Sequence, residues 1–142
     1  MKDPTIQLRC EDEVHFQRHS SLTRMWAPNG QQPRVLSPSV RHKVGFFGAL
    51  NLKTGCLLTK EAPTFSAETF GDFVRYLLQS TQGKLYLILD NAGWHKARDL
   101  RDFFDANRDR MVRIFLPPYS PELNPVERVW WITRWQVTHN RY

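Results

Sequence analysis

The chain has 142 residues, 20 Lys and Arg against 14 Asp and Glu, a net charge of +6 and two cysteines. That length suits one domain with a real core, and 41% hydrophobic residues with 24% charged is too apolar for wholesale disorder. The longest charge-free apolar run, near Val44–Leu52, is far short of a membrane span, and Met1-Lys2-Asp3-Pro4-Thr5 holds no apolar signal region. Secretion is therefore not expected. Cys10 and Cys56 stand alone, without CxxC or Cys/His spacing. This argues against a disulfide scaffold or a zinc site and fits a reducing cytosol.

The charge is unevenly spread. Residues 14–60 carry +7 with no acid at all, and residues 110–142 carry +3. Residues 1–13 and 61–109 carry −2 each. A long acid-free basic stretch is an electrostatic footprint for a polyanion such as nucleic acid, and a solvated basic face is the plain alternative.

In chain order, Ile6–Phe16 alternates at period two, with Ile6, Leu8, Cys10, Asp12, Val14 and Phe16 on one face. An acid in the apolar row is the anomaly; Glu11 and Glu13 point the other way and read as surface charges. Pro28-Asn29-Gly30 marks a turn between short extended pieces at Thr23–Ala27 and Arg34–Leu36. Lys43–Leu52 reads as a buried strand that turns at Lys53-Thr54-Gly55 into another at Cys56–Thr59. The opening third is thus a three-strand antiparallel meander.

The period then changes. Ser66 caps a helix whose stripe is Phe70, Phe73, Val74, Leu77 and Leu78, and Gly83 ends it. Leu85–Leu89 is a continuous apolar run, the pattern of a parallel strand covered on both faces, and Asp90 closes it. A helix is expected over about Lys96–Asn107, then a buried strand at Met111–Leu116, stopped by Pro117-Pro118. Pro125 opens a last helix with the stripe Val126, Val129, Trp130, Thr133 and Val137. A meander followed by strand–helix–strand units makes an α/β fold, a mixed sheet with helices on both faces.

Three carboxylates occupy informative places. Asp12 lies on the core row of the first strand. Asp90 sits at the carboxyl end of a central strand, where open α/β sheets place their sites. Glu127 is one turn into the last helix. Each also has a structural reading. Asp90-Asn91-Ala92-Gly93 is good turn chemistry, Asn124-x-x-Glu127 fits a capping box, and Asp12 faces solvent if its strand bulges. Taken together, acids converging on one place repel unless a cation lies between them. A divalent ion with hard oxygen ligands and an incomplete shell answers this, and two such ions serve phosphodiester chemistry.

The segment Leu116-Pro117-Pro118-Tyr119-Ser120-Pro121-Glu122-Leu123-Asn124-Pro125-Val126-Glu127-Arg128-Val129-Trp130 resembles the block around the third catalytic acid of DDE transposases. The likeness is to bacterial insertion-sequence transposases of the mariner superfamily. Leu87-Ile88-Leu89-Asp90-Asn91-Ala92-Gly93-Trp94-His95 resembles the block around their second acid, and Glu11-Asp12-Glu13-Val14-His15-Phe16 the block around their first. Arg24–Gly30 and Val44–Leu50 match the strands between.

The resemblance implies a ribonuclease H-like fold, with residues 1–142 as the DDE catalytic domain. It implies that Asp12, Asp90 and Glu127 are the catalytic, metal-binding triad, with Mg2+ as the ion, Mn2+ as a substitute and two ions in the site. The implied chemistry is hydrolysis of DNA at element ends and strand transfer into target DNA. Asn91 and His95 are expected in support, His95 orienting a phosphate or Asp90 itself, or else bonded to backbone. Arg41, Lys43, Trp94, Arg128 and Arg134 are candidate DNA contacts. Core packing for Trp94 and solvated faces for Arg128 and Arg134 remain open. Trp130, Trp131 and Trp135 cannot share one helix face.

The family usually carries an N-terminal helix-turn-helix part that reads the transposon ends, and a C-terminal tail. Neither is evident in this sequence, so a separate helix-turn-helix polypeptide is an expected partner. A homodimer is expected when the machine is complete, at a cytoplasmic, nucleoid-associated location and away from membranes. A catalytically inactive DNA-binding or regulatory remnant, and another ribonuclease H-like nuclease such as a junction resolvase, are the rival readings.

Overall fold

The computed structural model describes residues 6–17, 26–31 and 43–137. Five strands form one sheet: β1 (Ile6–Gln17), β2 (Lys43–Asn51), β3 (Leu57–Ala62), β4 (Lys84–Leu89) and β5 (Met111–Phe115). Their order is β3-β2-β1-β4-β5. β1, β2 and β3 pair antiparallel, with Asp12 opposite Gly48, and β4 runs parallel to both β1 and β5. This is the mixed sheet that the order of strands and helices predicts. Of the two short extended pieces expected before β2, residues 23–25 and 34–36 lie outside the described residues. Trp26 and Ala27 are not in a strand, and Asn29-Gly30 forms the expected turn.

β1 lies at the centre, and both of its faces are covered. The odd-numbered residues of β1, β2, β4 and β5, and the even-numbered residues of β3, face α1 (Ala67–Ser80). Phe47, Phe70, Phe73, Leu77, Leu85, Leu87 and Leu89 form the larger core there. Burying each such side chain contributes about 1.5–3 kcal/mol. The residues of opposite parity face α3 (Pro125–Val137), where Cys10, Val14, Val126 and Trp130 form a smaller core. Ser66 caps α1 as its sequence implies: its hydroxyl accepts from the Thr69 N–H, and the Thr69 hydroxyl accepts from the Ser66 N–H. The helix ends at Ser80, and Gly83, at φ +78°, turns the chain into β4.

The expected helix over 96–107 is broken. Two short 3-10 turns, at Gly93–Lys96 and Arg98–Leu100, precede an α2 of only Arg101–Ala106. No capping side chain precedes any of the three. Tertiary contacts fix this stretch instead, because His95 and Leu100 both reach the interior. In α3 the expected stripe holds at Val126 and Trp130, but Val137 is exposed. Thr133 is only half-buried, so helical periodicity alone overstates the burial of the last turns of α3. Trp131 and Trp135 stack on each other at 6.1 Å on the outer face, each more than half exposed. No helix among the described residues is long and apolar enough to cross a membrane.

Trp130 sits over Gly48, where a Cβ would collide with its ring. Gly48→Ala is expected to push Trp130, and α3 with it, off the sheet. The cost is about 1–3 kcal/mol, as for other overpacked cores. Lower thermal stability and a shift in tryptophan emission would show it; an unchanged melting temperature would count against this packing.

Candidate active site

Three elements bring three acids to one end of the sheet. Asp12 comes from the middle of β1, Asp90 from the residue after β4, and Glu127 from the first turn of α3. All three line a cavity of about 380 Å³, walled by Asn91 and by the loop that starts at Leu116. Asp12 is buried, as its place in the apolar row predicts, and its Oδ2 has no hydrogen-bond partner among the described residues. Burial, and then the neighbouring Glu127 carboxylate, push its carboxyl up to about 7.

Asp90 is held from behind. Its Oδ1 accepts from the Ala92 N–H at 2.8 Å and lies 2.9 Å from His95 Nδ1. The bond to His95 holds the Asp90 carboxyl below its usual value. So both readings of Asp90-Asn91-Ala92-Gly93 hold: it is a side-chain-capped turn, and it aims a carboxylate at the cavity.

His95 is fully buried, under the Phe70 ring. Its Nε2 lies 3.1 Å from Glu13 Oε1 and 3.3 Å from Glu11 Oε2. The Glu13 contact is a hydrogen bond, whereas the Glu11 contact is charge proximity only, since neither Glu11 oxygen has a hydrogen-bond partner among the described residues. Burial opposes a charge on the imidazole, but the bonds to Asp90 and Glu13 outweigh it and raise His95 to about 10. His95 thus holds Asp90 Oδ1 and is itself buried behind the wall of the cavity that Asp90 lines.

Glu11 and Glu13 are therefore not the surface charges that alternation suggests. They occupy the opposite face of β1, but α1 and the 93–100 segment cover that face too. Burial, and then Glu13, hold the Glu11 carboxyl well above its usual range, which favours its protonated form. Trp94 Nε1 donates to Glu13 Oε1 at 2.7 Å, and its ring packs against the larger core. Packing, the plainer of the two expectations for Trp94, is what the fold uses. The missed signal lay in the helices: α1 packs on one face of the sheet and α3 on the other, so acids on the strand between them have no open face.

Asn124 joins the elements. Its side-chain amide donates to the Glu11 carbonyl at 2.8 Å, and its Oδ1 accepts from the Val126 N–H at 3.2 Å. It is thus the cap of α3 and a tether between α3 and β1. Asn91 donates to the Leu116 carbonyl at 2.6 Å and accepts from Lys96. This pins the start of the loop that closes the cavity.

The basic candidates lie further out. Arg128 is exposed and lines an adjoining cavity of about 530 Å³ that shares Leu116, Asn124 and Glu127 with the first. Lys43, at the start of β2, and Arg134, on a later turn of α3, are exposed. Both lie close enough to His15 that their charges, after burial, hold it below its ordinary value. Arg41 and most of the basic stretch before β2 lie outside the described residues.

The "DDE superfamily endonuclease" family model matches residues 7–142. An insertion element IS630 protein of 39 kDa from Shigella sonnei is 31% identical over 132 residues, covering 92% of this chain and 38% of that protein. The chain thus spans well under half the length of the curated relatives it matches. Among solved structures, a Mos1 transposase paired-end complex with the left transposon end superposes with a TM-score of 0.74 at 16% identity. It covers 99% of this chain and 45% of that one. A mariner Mos1 paired-end complex with Mg gives 0.68 at 18% identity, covering 94% and 42%. These likenesses carry the ribonuclease H-like fold, and the match along almost the whole sequence carries the family. The chain belongs to the DDE superfamily endonucleases.

Proposed function

We propose that this chain is the catalytic domain of a DNA transposase, with Asp12, Asp90 and Glu127 as its metal-binding triad. The observation that carries the reading is their convergence. Three carboxylates from three separate elements open into one cavity, in a member of an endonuclease family. That convergence favours an active enzyme over a silent DNA-binding remnant.

The residues fit a hard divalent cation. The donor set is all oxygen, one buried Asp12 oxygen lacks a partner, and the acids repel one another without a cation. The Mg-containing relative supports Mg2+, with Mn2+ as a substitute. Two ions are the arrangement that phosphodiester chemistry favours. When bound, they activate the attacking oxygen and stabilise the leaving one.

The chain's own part is positioning. β1 fixes Asp12 by pairing with β2, opposite Gly48, just past the end of its pairing with β4. His95 and the Ala92 N–H occupy Asp90 Oδ1, which leaves Oδ2 for a ligand role. Asn124 sets the distance of Glu127 from β1. Asp12 would serve such a cation as an ionised ligand, which cation binding would favour. The substrates are transposon-end and target DNA, hydrolysed and then joined. In the complete machine we place a helix-turn-helix part, on the same or a separate polypeptide, and a homodimer in the cytoplasm on the nucleoid. Lys43, Arg128 and Arg134, with Arg41, are DNA contacts in this reading.

Asp90→Asn and Glu127→Gln are expected to abolish Mg2+-dependent nicking of DNA bearing the element ends. His95→Ala should lower it by roughly 10- to 100-fold, as for a residue that orients a ligand. Nicking that is indifferent to Mg2+, or to either carboxylate change, would overturn the triad.

The metal-free chain should also be less stable at higher pH. Folded Asp12, raised from 3.8 to about 7, and His95, raised from 6.5 to about 10, bind protons more tightly than when unfolded. Their contribution is full below the unfolded values and is lost as pH rises through the folded ones. Asp90 acts in the opposite sense, but only as the solution becomes more acid than its ordinary 3.8. In chelator, the melting temperature should therefore fall from pH 6 to pH 9, and Mg2+ should narrow the difference. Asp12→Asn should remove the Mg2+ effect. A flat profile in chelator would contradict this electrostatic picture.

A further inference from the structure

Tyr119 is the one non-glycine residue with positive φ among the described residues, at 57°. Left-handed backbone is unfavourable for a residue with a bulky side chain, and such strain concentrates where a fold uses it. Tyr119 is fully exposed, at 101% of its reference area, and among the described residues none bonds to its hydroxyl or packs on its ring. Yet it lines the same cavity as Asp12, Asp90 and Glu127.

The loop that carries it is held on every side. The Leu116 N–H donates to the Leu89 carbonyl at 2.8 Å, and Asn91 holds the Leu116 carbonyl. Pro117, Pro118 and Pro121 restrict φ around it. The Ser120 hydroxyl donates to the Pro118 carbonyl at 3.3 Å, and the Leu123 N–H to the Ser120 carbonyl at 3.2 Å. The ring is thus presented to solvent from a stiff support, at the mouth of the carboxylate-lined cavity. A flat aromatic surface prepared in this way suits a flat partner, and every nucleobase offers one.

We propose that Tyr119 is a stacking platform for an unpaired DNA base beside the phosphate that occupies the carboxylate cavity. The proposal rests on the reading of that cavity as a DNA phosphodiester site, and it adds a contact that selects distorted or single-stranded DNA over intact duplex. The left-handed backbone turns the ring away from the core and towards the strand leaving the cavity.

The test uses the 142-residue chain with Ca2+ in place of Mg2+, so that DNA binds without being cut. The probes are a short single-stranded oligonucleotide carrying 5-iodouracil and the duplex of the same sequence. Binding is read by fluorescence anisotropy, and photo-crosslinks are mapped by mass spectrometry. Crosslinking at Tyr119 is expected. Y119A and Y119G should weaken single-strand binding by about 5- to 150-fold, with a smaller effect on duplex, and Y119F should retain it. Y119G also relieves the backbone strain, so its melting temperature should not drop, and a folding defect cannot imitate the result. Unchanged single-strand affinity in Y119G, with crosslinks only at other residues, would overturn the platform while leaving the DNA site standing. No binding of either probe by the unsubstituted chain would overturn the DNA reading itself, and the platform with it.

Discussion

Glu11, Asp12 and Glu13 follow one another on a strand that has partners on both edges and cover on both faces. Three carboxylates are thereby kept from bulk water, and much of the structure is arranged to compensate them. His95 answers the two that face α1, and Trp94 adds a hydrogen bond to Glu13. On the opposite face Asp12 receives no such partner. The asymmetry is informative. One side of β1 is compensated by protein side chains, and the other opens onto the carboxylate-lined cavity.

The 93–100 segment has its unusual form for the same reason. A regular helix from residue 96 would satisfy local propensity, but the chain must first deliver His95 inward, between β1 and the end of β4. Two short 3-10 turns accomplish this, and Arg113 secures them by donating to the His95 carbonyl at 2.9 Å. Local regularity gives way to a buried polar network, whose satisfied members matter more than a turn of helix.

The main lines of this were legible in the residues. The period-two row marked Asp12 as an acid on a covered face, the apolar run marked β4 and the acid at its end, and Pro125 marked the start of α3. Burial of Glu11 and Glu13 was not legible. Alternation tells which residues share a face; it does not tell whether the second face meets solvent, and that depends on which elements later pack on it. Val137 failed for a related reason: a helical stripe shows which residues share a side, not how far along the helix that side is covered. The second role of Asn124 was hidden too, because a cap is a local signal and its bond to the Glu11 carbonyl spans 113 positions.

That long-range bond has a consequence for how such chains vary. The segment before α3 is fastened at both ends, at Leu116 to the end of β4 and at Asn124 to β1. The separation of Asp90 and Glu127 in space is therefore set by two hydrogen-bonded anchor points, not by the number of residues between them. Changes in the length of the 117–123 stretch between those anchors would leave Asp90 and Glu127 where they are. A difference in the interval between these two acids that arises there then measures loop insertion, and carries little information about the chemistry.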